Sequence, residues 1–340
     1  MLSSTSDADR AACRAMLAGG SKSFRAAAML LPSRIAEPAT ALYAFCRVAD
    51  DAIDEAPDAA AALPALQRRL DAIHAGRPQA HAADRAFAVV VRDYAIPRAL
   101  PAALLEGFAW DAEGRRYADL AALEAYAARV AATVGAMMTL LMGVRDSAAL
   151  ARACDLGVAM QLTNIARDVG EDARNGRLYL PLDWMRAEGL DPAAFLAAPR
   201  FSPALGRVVQ RLLDVADAHY ARSEAGFALL PRDCRAGIAA ARHVYAEIGR
   251  EVERQGGDSV GRRAHVGATR KAVLMARSLS ALTARAARHV APPLPATRFL
   301  VEAVQAHPAT GPQRLPERIA WAVQLFDRMR DDADLGSVAR

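Results

Sequence analysis

The sequence predicts an all-α protein, one large helical domain of 340 residues, and three observations carry that expectation. The chain is rich in alanine, 53% hydrophobic by the wider count and only 6% aromatic. Amphipathic stretches with apolar residues three and four positions apart follow one another, punctuated by Gly and Pro. Its most unusual polar motifs also repeat at helical spacing. Length alone would suggest two domains, but one helical domain is more economical and leaves ample material for a core that surrounds a cavity.

Composition excludes several classes. The net charge of +5 is carried almost wholly by arginine, because Lys22 and Lys271 are the only lysines. The arginines are scattered among acids, which fits a GC-rich genome better than a nucleic-acid partner. A basic surface can still favour an anionic membrane or anionic substrates. Cys13, Cys46, Cys154 and Cys234 are widely spaced with no CxxC, against a disulfide framework or zinc site and in keeping with a cytoplasmic location. The N-terminus is acidic and polar through Asp9, unlike a secretory signal. The longest uncharged run, Val130 to Val144, falls short of the roughly 18 residues that span a bilayer, so no transmembrane segment is expected.

In chain order, residues 1–19 contain a short amphipathic segment (Ala11, Met16, Leu17) that ends at a Gly pair. Ser21-Lys22-Ser23 then opens a helix, either as an ordinary N-cap or as a phosphate-binding turn. Pro32 ends that helix, and the next runs from about Glu37 to Glu55. Residues 58–80, Arg85 to Tyr94 and Pro101 to Trp110 give further helices. Asp111 follows at a polar end. Tyr126 to Leu141 is a small-residue helix, and its internal Gly135 implies a packing or cavity reason, since such a Gly costs about 1 kcal/mol against Ala. A long helix from about Leu150 to Arg174 closes at Asn175-Gly176. Arg177 either caps its carbonyl end or serves a ligand. Pro203 to Leu229, Arg235 to Val252 and a last helix reaching about His289 complete the body. Residues 20–290 are thus read as one domain and 291–340 as a Pro-rich linker and tail. In that tail the stripe Leu315, Ile319, Ala322, Val323 and Phe326 either docks on the body or touches a membrane.

Two stretches carry chemistry. Gln161, Asn164, Asp168, Glu171 and Asp172 fall on one side of a helix, with apolar Leu162, Ile165 and Val169 between them. Carboxylates in adjacent turns repel unless something positive lies between, and Mg²⁺ takes carboxylate and phosphate oxygens. A solvated acidic face is the plain alternative. More than a hundred residues upstream the pattern returns: Tyr43, Arg47, Asp50 and Asp54 lie within about 60° of one another, with Asp51 about a quarter turn away. An arginine for phosphate oxygens and two aspartates for Mg²⁺ look like a metal–diphosphate site, and two such helices could clamp a diphosphate from both sides. No HxxxH or HExxH spacing supports histidine-based zinc chemistry.

The segments Leu31-Pro32, Ala41 to Asp51 and Gln161 to Asp168 resemble the squalene/phytoene synthase family, most closely the bacterial phytoene synthases of carotenoid biosynthesis. The resemblance covers about Ser21 to Arg288 and implies the class I isoprenoid synthase fold, a helical bundle around a central cavity. It implies that Asp50, Asp54, Asn164, Asp168 and Asp172 hold Mg²⁺ (or Mn²⁺), with Asp51 and Glu171 in support. Lys22, Arg47, Arg167 and Arg177 would grip phosphate oxygens, while Ser21, Ser23, Tyr43, Gln161 and Tyr245 orient two prenyl diphosphates. Tyr43 and Tyr245 join Asp50, Asp54 and Asp168 as the catalytic set it implies, and Asp111 would lie near the cavity rim. The implied reaction is head-to-head condensation of two geranylgeranyl diphosphates through prephytoene diphosphate to phytoene, with no NADPH. The alternatives are squalene or dehydrosqualene formation from farnesyl diphosphate, and a non-catalytic assembly factor of the same fold. Ala127 and Ala132 replace a Cys and a Gly common in the family, which bears on tunnel shape.

Overall fold

Apolar residues three and four positions apart can be buried together only on a helix, and among the described residues such stretches are helical in the computed structural model. The structure describes residues 5–18, 30–54, 59–285 and 291–307, and among them there is no β-strand. The chain divides at His307 into two units, the second being Pro308–Arg340, so the predicted tail stripe lies outside the described residues.

The helices are α1 (Asp7–Ala18), α2 (Ser33–Asp54), α3 (Ala59–His74), α4 (Ala82–Asp93) and α5 (Ala99–Ala112). They continue with α6 (Leu120–Leu141) and α7 (Ser147–Arg174). After them come the short α8 (Leu182–Ala187) and α9 (Pro192–Ala197), then α10 (Pro203–Glu224) and α11 (Arg232–Arg254). The last are α12 (Ala268–Ser278) and α13 (Arg298–Gln305). Helix α7 is the hub: α6, α10, α11 and α13 all pack on it, whereas α1, α2 and α4 form a neighbouring layer. Helix α2 meets the second half of α6, so α2 and α7 share α6 as a neighbour.

At 28 residues α7 is about 42 Å long. Asp146 caps it by accepting from the Ala149 N–H at 2.9 Å, a cap not read from the sequence. Close approach of α6 and α7 depends on missing side chains. A Cβ on Gly157 would stand 2.7 Å from the Ala132 Cα, and one on Gly135 would stand 2.6 Å from the Ala153 carbonyl oxygen. Gly135 therefore has the packing reason its mid-helix position implied. At this contact α6 widens into a π-turn over Ala128–Ala132, and Thr133 Oγ1 donates to a carbonyl of that turn, that of Arg129. By length and composition Leu120–Leu141 could cross a membrane. In the fold it is a core helix whose Tyr126, Ala128, Ala132, Met137 and Leu140 are buried.

Other boundaries moved for local reasons. The stretch expected as one helix to Leu229 breaks after Glu224 and resumes as a 3₁₀ turn, Phe227–Leu229. The last helix stops at Ser278 and tightens to 3₁₀ over Leu279–Thr283. There the Ser280 and Thr283 hydroxyls donate to the Arg277 and Ser280 carbonyls at 2.9 Å and draw the chain into the tighter turn. Residues past 291 are held to the body: the Pro292 carbonyl accepts from Arg152 at 3.3 Å and from Arg222 at 2.8 Å.

Gly157→Ala tests the α6–α7 contact. A helix interior ordinarily gains up to about 1 kcal/mol from Gly to Ala. Here the added methyl meets backbone, so the expected change is a loss of about 1–3 kcal/mol and a melting temperature several degrees lower in a thermal unfolding scan. A rise would show that the helices have room to part.

Candidate functional site

On α2, burial alternates with helical period: Leu42, Ala44, Phe45, Ala49 and Ile53 are buried, while Tyr43, Arg47, Asp50 and Asp51 reach solvent. Arg47 donates through Nε to Asp51 Oδ2 at 2.9 Å, its Nη2 lies 2.6 Å from Asp51 Oδ1, and its Nη1 is 4.0 Å from Asp50. Asp51 thus aims the guanidinium. The Arg47 side chain is 51% exposed, and an exposed pair of this kind is worth about 0–1 kcal/mol, so it orients Arg47 without locking it. Asp54 ends the helix, but its side chain, like Ser21, Lys22 and Ser23, lies outside the described residues.

On α7 the same separation holds. Leu162, Thr163, Ile165, Ala166, Val169 and Gly170 are buried, whereas Gln161, Asn164, Arg167, Asp168, Glu171 and Asp172 are not. Asp168 sits between two arginines: Arg167 Nε donates to it at 2.8 Å and Arg263 Nε at 2.9 Å. The same Arg263 nitrogen is 3.2 Å from Glu171. Burial alone would raise the Asp168 carboxyl, but the two guanidinium groups outweigh it and hold it below the ordinary value. Asp172 goes the other way, pushed up to about 7 by burial, by Asp168, and by the further charges of Glu171 and Asp111, with Arg177 opposing. The backbone N–H of Arg177 donates to the Asp172 carbonyl at 2.8 Å, so this residue closes the helix while its charge acts on the acid face.

Arg263 lies 95 positions from Asp168, so helical spacing does not connect the two. Its placement comes from Gly170, where a Cβ would be 2.5 Å from the Val260 carbonyl oxygen. The Gly170 N–H donates to Ser259 O at 3.0 Å, and Arg174 Nη1 donates to Val260 O at 3.3 Å. Those contacts press residues 258–263 onto α7 and bring Arg263 to the carboxylates.

A second group was missed more fully. Asp111 Oδ2 accepts from the Tyr126 hydroxyl and Oδ1 from the Tyr179 hydroxyl, each at 2.7 Å. Tyr117 packs against both rings, with centroids 5.1 and 6.1 Å away. All three tyrosines are buried, and burial followed by the Asp111 charge raises each phenol above its ordinary value. Asp111, read from sequence as a rim candidate, is half-buried, anchors a buried aromatic cluster and adds to the field on Asp172. The available signal was Tyr179, two residues past Arg177. Tyr245 is half-buried on α11 near Tyr220, whose hydroxyl pairs with Thr163 of α7 at 3.0 Å.

Among the described residues, no three acid, imidazole or thiol side chains are gathered closely enough to hold an ion as they stand. The donor set is nonetheless the all-oxygen kind that Mg²⁺ takes, and the raised Asp172 carboxyl records negative charge that a cation would relieve. Two cavities of about 370 and 390 Å³ lie elsewhere, between α11 and α12, sharing Glu247, Arg254 and Arg270.

The all-α fold is that of the isoprenoid synthases. The chain belongs to the squalene/phytoene synthase family, which matches residues 17–270. It is 54% identical to a phytoene synthase of Rhodobacter capsulatus over 95% of this chain and 98% of that protein. It is 51% identical to one of Cereibacter sphaeroides, over 98% of each. Among solved structures, a dehydrosqualene synthase in complex with ligand superposes with a TM-score of 0.71 at 33% identity, over 81% of this chain and 96% of that one. A squalene synthase of Alicyclobacillus acidocaldarius, at 24% identity and a TM-score of 0.68 over 73% of this chain and 94% of that one, shares the fold.

Asp172→Asn separates charge from shape. A carboxyl raised in the folded state costs stability once it ionises, so the metal-free variant should melt higher than wild type at pH 8. The difference should shrink as pH falls through about 7 and vanish below the ordinary value of 3.8, where both states are protonated. Thermal melts in chelator across that range check it. An equal or lower melting temperature at pH 8 would show that the Asp172 carboxyl is not raised.

Proposed function

We propose that this protein is a phytoene synthase: it joins two geranylgeranyl diphosphates head to head, through cyclopropyl prephytoene diphosphate, to give phytoene and diphosphate. The observation that carries this reading is near full-length identity above half to a curated phytoene synthase, in a chain that presents acid motifs on both α2 and α7. Asp50, Asp54, Asn164, Asp168 and Asp172 would hold Mg²⁺, or Mn²⁺ in its place. When bound, such ions neutralise charge on the departing diphosphate.

The chain's own residues supply the rest. Arg47, aimed by Asp51, and Arg167, with Lys22 and Arg177, would take phosphate oxygens as charge-assisted donors. Arg263, already on Asp168 and Glu171, is placed to share that load. Tyr43, Gln161, Tyr245, Ser21 and Ser23 would fix the orientation of the two diphosphates. Loss of diphosphate leaves an allylic cation that water would quench, so buried aromatic faces such as those of Tyr126 and Tyr179 serve by excluding water and by cation–π attraction. The last cation is discharged by proton loss, which needs no NADPH. Substrate and product are both lipids, so a cytoplasmic enzyme in peripheral contact with a membrane belongs to the same reading. No nucleic-acid partner does.

The second reading is a farnesyl-using enzyme, favoured by the structural likeness to a dehydrosqualene synthase. Purified protein given geranylgeranyl or farnesyl diphosphate with Mg²⁺, with and without NADPH, decides between them by the hydrocarbon formed. Phytoene from the C20 substrate is expected, without NADPH dependence; a C30 product alone would move the assignment. Asp50→Ala and Asp168→Ala should each lower turnover by at least about 100-fold, and full activity in either would end the proposal.

A further inference from the structure

A surface helix of a water-soluble protein normally turns charge outward. Helix α12 and its 3₁₀ continuation do not. Leu274, Ser278 and Ala281 are the residues of this stretch that turn inward. At 100° per residue, the face pointing away from them carries Ala272, Val273, Ala276 and Leu279, with the hydroxyls of Thr269, Ser280 and Thr283, and no charge. Val273, Leu279 and Leu282 expose 53%, 52% and 41% of their surface. They are three of the four large hydrophobic side chains exposed among the described residues, the fourth being Phe201 on a separate loop. Cations flank the apolar strip: Arg270 and Arg277 along one edge, Lys271 along the other. Arg270 is engaged by Glu247 at 2.8 Å. From Ser259 through Val301 the sequence has eight Lys and Arg and no Asp or Glu, although the whole chain has 43 against 38. Charge of one sign is therefore concentrated in the stretch of sequence that carries this face.

We propose that this face docks on an anionic lipid bilayer. Val273, Leu279 and Leu282 enter the boundary between headgroups and acyl chains, while Lys271, Arg277 and Arg285 meet headgroup phosphates. Charge selects this occupant over a second copy of the chain, which would set the same cations against each other. The benefit of such a surface rests on the proposed polyprenyl substrate and hydrocarbon product, but its affinity for lipid does not.

Flotation of the full chain, without substrate, on phosphatidylcholine vesicles and on vesicles that also contain phosphatidylglycerol tests the proposal. Binding to the anionic vesicles should be at least about ten-fold higher and should fall with added salt. Val273→Ser/Leu279→Ser/Leu282→Ser and Lys271→Glu/Arg277→Glu should each lose about ten-fold, with unchanged circular dichroism, while Phe201→Ser binds as wild type. No vesicle binding by the full chain, equal binding to both vesicle types, wild-type binding by the triple variant, or a triple variant that turns a dimer into a monomer would each overturn it. Turnover in detergent micelles is read separately: protein that floats but makes no hydrocarbon defeats the catalytic reading alone, and active protein that never floats defeats the surface alone.

Discussion

Three carboxylates within two turns of one helix face cannot all stay ionised on a partly buried surface unless positive charge stands close by. On α7 that charge is supplied unevenly. Asp168 is enclosed by Arg167 and Arg263 and stays well ionised, whereas Asp172, one turn on, is pushed up to about 7, first by burial and then by the charges of Asp168, Glu171 and Asp111. The face is thus only partly neutralised by its own arginines. Most of the architecture around α7 serves to place those charges and keep them there.

Small residues do the placing. Gly135 and Gly157 allow α6 to lie on α7 at backbone contact, and α6 carries Tyr126 to Asp111. Gly170 lets Val260 rest on α7, which carries Arg263 to Asp168. Neither contact is strong as an interaction, since a missing Cβ contributes nothing by itself. Their effect is geometric: they shorten distances between helices so that charged groups far apart in sequence come within a hydrogen bond of one another. A methyl group at any of these positions would act on the site without touching it.

The helices and both acid faces were legible from the sequence because they follow from local periodicity, and period is a property of adjacent residues. Burial confirms that Tyr43, Arg47 and Asp50 share a face, as do Gln161, Asn164, Asp168 and Asp172. What could not be read was who meets whom. The Arg263–Asp168 contact spans 95 positions and the Tyr179–Asp111 contact spans 68. Nothing in the vicinity of either partner specifies the other; the packing of whole helices does. The boundary misreadings near Glu224 and Ser278 have a more local cause, hydroxyl and glycine residues that offer the backbone an alternative to a further helical turn.

Asp111 shows how a structural group can shape chemistry from outside the reacting atoms. Two phenols donate to its two oxygens at 2.7 Å, which fixes the carboxyl in place. A movable acid could rotate away from Asp172 and relieve the repulsion between them; one held by Tyr126 and Tyr179 cannot. Its charge is therefore a fixed, minor part of the field on Asp172, behind burial and the acids of α7 itself. A diphosphate alone would add to that field, and so would meet resistance unless cations came with it. Such an arrangement suits the proposed joint binding of metal and diphosphate, and the acid it adds is held in place by two tyrosines, Tyr126 and Tyr179.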